Sequence, residues 1–474
     1  MESFGVMDEE RRSILLGGLC AAVAFALPAR LHAGKALPGT DAHPVDKDAL
    51  TALLAKTFQS DDPGVMKLVT DAYLQCVVEK IQPPDPPLEH NWLAPGGAYL
   101  AQWVWDTVFV LDLLALLPGQ QQIIRGVFQN YWDFQRRWNE AHPPCMNGMI
   151  ANFIAPFDGN KYFPGKEWKT FPAFSQAPLL AWGMERIYRK NGDLELIRQG
   201  LRPLEEFHEW YWRERDVSGC GLIGVGAYSG DVQHARFETY DHEVDLDNLK
   251  MTLHPKRSGS SPNGAWYGDI LIPANSSYLL LSEAALARMA ELAGDHEMSG
   301  RRRKRFAAGV KAMRTHMWSQ KNGCFLAVRR TSMEMIESPT VGSFVPLMAG
   351  IPTQSQAKAM AAALDTPAWA TPLPVPTVAA SNPNFLSSAF WRGDVWPAPN
   401  FQIATGLKSY GLTATANRIS DLCVENAIKV GISERYDSLS GAPLGVGGLG
   451  MSATVITMML DGLTKKFNLR RLNS

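Results

Sequence analysis

Two tryptophans, an arginine and a carboxylate fall within six residues at Trp391-Arg392-Gly393-Asp394-Val395-Trp396. Such a set suits a sugar. Indole faces stack on pyranose rings, while a guanidinium and a carboxylate hold hydroxyls in fixed directions. The chemistry recurs at Trp103-Val104-Trp105-Asp106, at the head of an apolar run, and an amide joins it at Ser175-Gln176-Ala177-Pro178. Each motif also has a plainer reading. An aromatic loop can enter a core helix, an Asp in a first turn favours the helix dipole, and Gln176 can belong to an ordinary helix start. Recurrence of one chemistry in three places is what points to a carbohydrate pocket.

These residues need a frame to bring them together, and the spacing of apolar residues predicts a helical one. Helices are expected over Asp46–Leu54, Val65–Ile81, Trp103–Leu117, Gln121–Trp138, Phe174–Lys190, Leu194–Trp212, Asn275–Ala293, Arg301–Met317, Gln354–Leu364, Val395–Leu407, Thr413–Val430 and Ser452–Leu463. Pro83-Pro84-Asp85-Pro86-Pro87, Pro118-Gly119 and Asn191-Gly192-Asp193 break them. Strand alternation is weak, and no fixed repeat marks a solenoid. About a dozen paired helices fit an all-α ring of helical hairpins, an (α/α)6 toroid, with the site built from loops at one end. Two long stretches, Met146–Thr170 and Val217–Pro273, are the candidate site loops.

The motifs occur in a recognisable order. Trp105-Asp106-Thr107, Gly148-Met149-Ile150, Gln176-Ala177-Pro178, Phe390-Trp391-Arg392-Gly393-Asp394-Val395-Trp396-Pro397-Ala398-Pro399-Asn400 and Ser433-Glu434-Arg435-Tyr436 through Gly441 follow one another. Together they resemble the inverting six-hairpin glycosidases that include processing α-glucosidase I, the trehalases and mannosylglycerate hydrolase. The resemblance spans about residues 90 to 465. It implies one (α/α)6 catalytic domain over residues 34–474, a small carbohydrate substrate, and no cofactor or metal. It also implies a sugar pocket walled by Trp103, Trp105, Trp391 and Trp396 and lined by Asp106, Gln176, Arg392 and Asp394.

Inversion uses two carboxyl groups across the scissile bond, about 6.5–9.5 Å apart, one donating a proton to the leaving oxygen and one deprotonating water. The resemblance places the base at Glu434. A surface Glu paired with Arg435 is the alternative there. For the acid, the family's Glu-Ser-Gly-x-Asp segment has no verbatim counterpart. The closest stretch is Arg236–Asn248, where Glu238-Thr239-Tyr240-Asp241 lacks the glycine and is one residue shorter. Asp241 is the expected acid, with Asp231, Glu238 and Glu243 as rivals. Crowding of these carboxylates would raise the pKa of one, as a proton donor near neutrality needs.

Composition narrows the class. The chain has 474 residues, 46% of them hydrophobic and 20% charged, with formal net charge −1 and 14 tryptophans. Nothing in that balance suggests a nucleic-acid partner. Arg11-Arg12 precedes an apolar run, Ile14–Leu27, and small residues up to Ala33. Residues 1–33 therefore read as a twin-arginine-like export signal, giving a periplasmic or secreted enzyme with no stable membrane association after cleavage. A retained anchor is the alternative. The five cysteines beyond residue 33 show no CxxC pair, and one or two disulfides fit an oxidising compartment. The histidines have no HExxH spacing, and no GxSxG, P-loop or dinucleotide fingerprint occurs. Two rival functions keep the toroid: a carbohydrate lyase or epimerase using His234 or His242, and a non-catalytic sugar-binding protein.

Overall fold

Aspartates start many of the helices. Asp46, Asp62, Asp193 and Asp295 each accept a hydrogen bond from a first-turn backbone N–H, and Thr353 forms a capping box with Gln356. The computed structural model describes residues 46–97, 99–141, 147–156, 175–226, 257–260 and 266–472. Its α-helices in chain order are α1 Lys47–Thr57, α2 Pro63–Ala72, α3 Val104–Leu114, α4 Gln121–Ala141, α5 Leu180–Asn191 and α6 Leu194–Arg215. They continue with α7 Pro273–Leu292, α8 His296–His316, α9 Gln354–Leu364, α10 Pro397–Ser409, α11 Thr413–Val430 and α12 Thr454–Leu460.

One subset closes into a ring. α3 packs on α5, α5 on α7, and α7 on the short helix Val341–Leu347. That helix packs on α10, α10 on α12, and the turn Gly450–Ala453 leading into α12 packs back on α3. The composition of α3 explains its central place. All eleven of its residues are buried, as expected of a helix that is apolar all round. A second set lies outside. α6 covers α5 and α7, α8 covers α7, and α11 covers α10 and α12. This is the (α/α)6 toroid expected from the helix pattern. The ends of the described chain meet where Phe58–Gln59 pairs with Arg470–Arg471.

Two features depart from the sequence reading. The inner element Val341–Leu347 is a 3-10 helix whose Gly342 and Pro346 conceal it from any helix period. The long stretch before α7 contributes strands Gly224–Gly226, Arg257–Ser260 and Trp266–Leu271, which join Val328–Arg329 in one small sheet. Gly224–Gly226 and Arg257–Ser260 are short and carry glycine, so they show no alternation. Four cysteines, Cys76, Cys220, Cys324 and Cys423, are free thiols, and Cys145 lies outside the described residues. Residues 1–33 also lie outside them. Among the described residues no helix is long and apolar enough to cross a membrane.

Candidate active site

Glu434 sits on strand Ser433–Tyr436, which pairs with Pro443–Gly447 directly after α11. It is only 4% exposed. Tyr99 donates its hydroxyl to Oε1 at 2.9 Å, and the Val446 N–H donates to Oε2 at 3.0 Å. The carboxylate is therefore clamped from two loops. Gly445 makes the clamp possible: a Cβ there would lie 2.1 Å from Oε2, and its φ of 73° suits glycine. Strand alternation turns the next side chain away. Arg435 donates to Asp394 Oδ2 at 3.2 Å and lies over the Phe390 ring, so Glu434 is not the exposed partner of Arg435.

Asp106 faces Glu434 electrostatically. It lies in the first turn of α3, is 8% exposed, and has one oxygen, Oδ1, with no hydrogen-bond partner among the described residues. Burial first, and the Glu434 charge second, push its pKa up to about 7. Hydrogen bonds from its own N–H and that of Met451, with the Lys80 charge, act in the opposite direction. The turn Gly450–Ala453 packs on α3, which explains why Met451 reaches it.

Around this pair the expected pocket residues divide into two groups. Trp103 is half-buried between Tyr99, edge-on at 5.7 Å, and Phe153 at 4.7 Å, and its indole N–H has no partner among the described residues. Pairing of Gln102–Trp103 with Phe153–Ile154 brings Asn152 alongside, and Asn152 Oδ1 is also buried without a partner among the described residues. Buried polar atoms left unmatched on or beside paired strands are what a sugar's hydroxyls would satisfy. Trp105 is committed to the protein: its indole N–H meets Met451 Sδ, and its ring packs on Phe109 and Tyr278. Its backbone N–H donates to Gln176 Oε1 at 2.9 Å, tying the stretch before α5 to the head of α3. Gln176 is thus ahead of the helix, which begins at Leu180, and not inside it as expected.

The segment 390–400 lies beside Glu434 through the backbone bridge between Val395 and Tyr436. Trp391 and Trp396 stack face to face, centroids 4.1 Å apart and 5° between planes, so each covers one face of the other. Asp394 is fully buried beneath them. Thr377 donates to its Oδ1 at 2.9 Å, and the Trp396 indole and Arg435 donate to Oδ2. Burial pushes Asp394 up to about 7 even so, with Arg435 the largest opposing influence. This carboxylate is engaged with the protein, and Arg392 beside it is half-buried.

Asp241, with its rivals Asp231, Glu238 and Glu243, lies outside the described residues, as do His234 and His242. Sequence reasoning missed Tyr99 and Lys80. Neither belongs to a spaced motif, and only the fold brings them to the carboxylates. Among the described residues no group of His, Cys, Asp and Glu is gathered to hold a metal ion.

Comparison with known proteins agrees with the toroid fold. The sequence model of the mannosylglycerate hydrolase MGH1-like glycoside hydrolase domain matches residues 99–453. A mannosylglycerate hydrolase of Thermus thermophilus is 24% identical over 404 residues, covering 76% of this chain and 94% of that protein. The crystal structure of a GH63 mannosylglycerate hydrolase from Thermus thermophilus, in complex with Tris, superposes with a TM-score of 0.63 at 20% identity, covering 83% of this chain and 98% of that one. The neutral trehalase of Saccharomyces cerevisiae superposes with a TM-score of 0.52 at 16% identity, covering 80% and 76%.

Proposed function

The chain belongs to the mannosylglycerate hydrolase MGH1-like glycoside hydrolase family and is a glycoside hydrolase, and on that premise we propose that it cleaves an α-glycosidic bond in a small substrate with inversion. The substrate class is an α-glucoside, a trehalose-like disaccharide or a glycosylglycerate. The observation that carries this reading is Glu434: a buried carboxylate held by Tyr99 and Val446, whose charge acts on a second buried carboxylate, Asp106. A general base must have its basic oxygens fixed relative to the attacking water, and the two clamps supply that.

In this mechanism Glu434 takes a proton from water as the water attacks the anomeric carbon. Proton donation to the leaving oxygen falls to Asp241, in the stretch nearest to the family's acid segment, with Asp231, Glu238 and Glu243 as its rivals. Asp106, with one unmatched oxygen and a pKa near neutrality, accepts from or donates to a sugar hydroxyl. Trp103 offers the stacking surface, Gln176 and Arg392 hold polar groups of the substrate, and Trp105 shapes the wall from behind. The Trp391–Trp396 stack, with Asp394 as its anchor, forms a rigid flank. We further propose that residues 1–33 direct export, so that the enzyme works in the periplasm or outside the cell. N-terminal sequencing of protein from the cell envelope would give a start near residue 34; retention of residues 1–33 would refute export with cleavage.

The test of the hydrolase is Glu434→Gln assayed on a panel of α-linked disaccharides and α-mannosyl- and α-glucosylglycerate. The variant keeps its fold by circular dichroism and loses at least about 10²-fold in kcat, the scale of base catalysis. Turnover equal to that of the parent would remove Glu434 from the mechanism.

A further inference from the structure

One charged group near the carboxylates has no task in hydrolysis as just described. Lys80 ends the turn Val78–Lys80, and its carbonyl accepts from the Ala94 N–H at 3.0 Å, which pins it against the loop leading to Tyr99. Its ammonium rests on Gly96: a Cβ added there would fall 2.6 Å from Nζ, and the same point is 3.9 Å from the Gly448 carbonyl oxygen. The two loops it touches are those that serve the carboxylates. One carries Tyr99, which donates to Glu434; the other carries Val446, which donates to Glu434, and leads to Met451, which donates to Asp106. The side chain is half-buried, and among the described residues no hydrogen bond or ion pair engages its three donors.

We propose that Lys80 is a positioning residue of the hydrolytic site, the counter-charge that lets the Asp106 and Glu434 carboxylates be ionised together at the working pH. This rests on the reading of Glu434 as the base. Two carboxylates in one buried site resist losing both protons, and a cation in the same pocket opposes that resistance. The surroundings of Lys80 fit the role. The charges of Cys76 and Glu79 on its own segment and of Asp106 on α3 act on it. Glu434 joins through Asp106, and Tyr131 from α4 also senses the Asp106 charge. Burial lowers the ammonium's pKa below the usual lysine value, while Cys76, Glu79 and Asp106 raise it again, so its charge is linked to theirs. Glycine at position 96 is the local condition: with φ at 125° it leaves the space in which the ammonium sits.

The experiment is a carboxyl-carbon NMR titration of the full chain labelled at Asp and Glu side chains, without substrate, with Asp106→Asn identifying the resonance. Lys80→Met is expected to raise the Asp106 midpoint by about one pH unit, the low end for loss of a nearby opposite charge, and Lys80→Arg to return it most of the way. The acidic limb of kcat/KM should move in the same direction. A folded Lys80→Met whose midpoint matches the parent's would overturn the proposal and leave Lys80 a packing residue. If Lys80→Met does not fold, Lys80→Gln carries the same comparison, since it keeps most of the side-chain length. The titration needs no turnover. Full activity of Glu434→Gln would therefore defeat the base assignment without touching the Lys80 result.

Discussion

Gly445→Ala is the sharpest mechanical probe of the base. The new methyl carbon would lie 2.1 Å from Glu434 Oε2 and 3.0 Å from its Cδ. Carbon and oxygen need more than about 3 Å, so either the carboxylate swings by about 1 Å or the Pro443–Gly447 strand retreats; such a misplacement near the chemistry costs about 10²-fold in rate. Either movement stretches the Val446 N–H bond to Oε2, now 3.0 Å, a hydrogen bond to a charged group worth about 1.5–3 kcal/mol. The left-handed φ adds about 1–2 kcal/mol of backbone strain for any residue with a Cβ. Steady-state kinetics on the best α-glycoside should show kcat down by about 10²-fold with KM changed much less, because the lost geometry serves the attacking water. Thermal unfolding should show a fall of several degrees and no more. A folded Gly445→Ala with kcat within about threefold of the parent would refute the claim that the clamp on Oε2 positions the base.

Three further outcomes follow from the same geometry. Asp394 has a folded pKa raised above the ordinary carboxylate value, so its protonated form favours folding, and that contribution is lost as pH rises from about 4 through about 7. Asp394→Asn should therefore gain stability relative to the parent at pH 8 compared with pH 4, read as the difference in Tm; a pH-independent difference would contradict the shift. Asp112→Ala removes the carboxylate that Arg186 and Lys190 share at 2.9 and 2.7 Å, and should cost about 3–5 kcal/mol in urea unfolding. Because Asp112 is six residues, about 9 Å, along α3 from Asp106, kcat of the folded fraction should not change. Trp103→Ala should raise KM about tenfold, equivalent to ~1.4 kcal/mol of lost stacking, with a smaller effect on kcat; an unchanged KM would place the sugar elsewhere.

The sequence yields the ring of helices because apolar residues recur at helical spacing between Pro and Gly breaks, and α3 is so apolar that it must be an inner element. It also brings Glu434 and Asp106 forward as candidates, since both sit in motifs whose order matches one family. It does not yield Val341–Leu347, where proline and glycine hide an inner helix that packing alone stabilises. Side-chain direction is equally hidden. Asp394 stands in a sugar-like motif, yet Thr377, seventeen positions earlier, claims one oxygen and Trp396 the other. The two tryptophans of that motif stack on one another, a pairing that spacing does not reveal. Tyr99 and Lys80 are single residues on loops, with nothing local to say that Glu434, 335 positions away from Tyr99, would meet them.

The central claim is that a fixed carboxylate activates water on the face of the sugar opposite the leaving group. Proton NMR of the first turnovers on an α-glycoside tests it most directly, before mutarotation mixes the anomers. The β-anomer should form first and the α-anomer grow in later. The α-anomer appearing first would mean retention, and a single-step attack by water activated at Glu434 would be excluded.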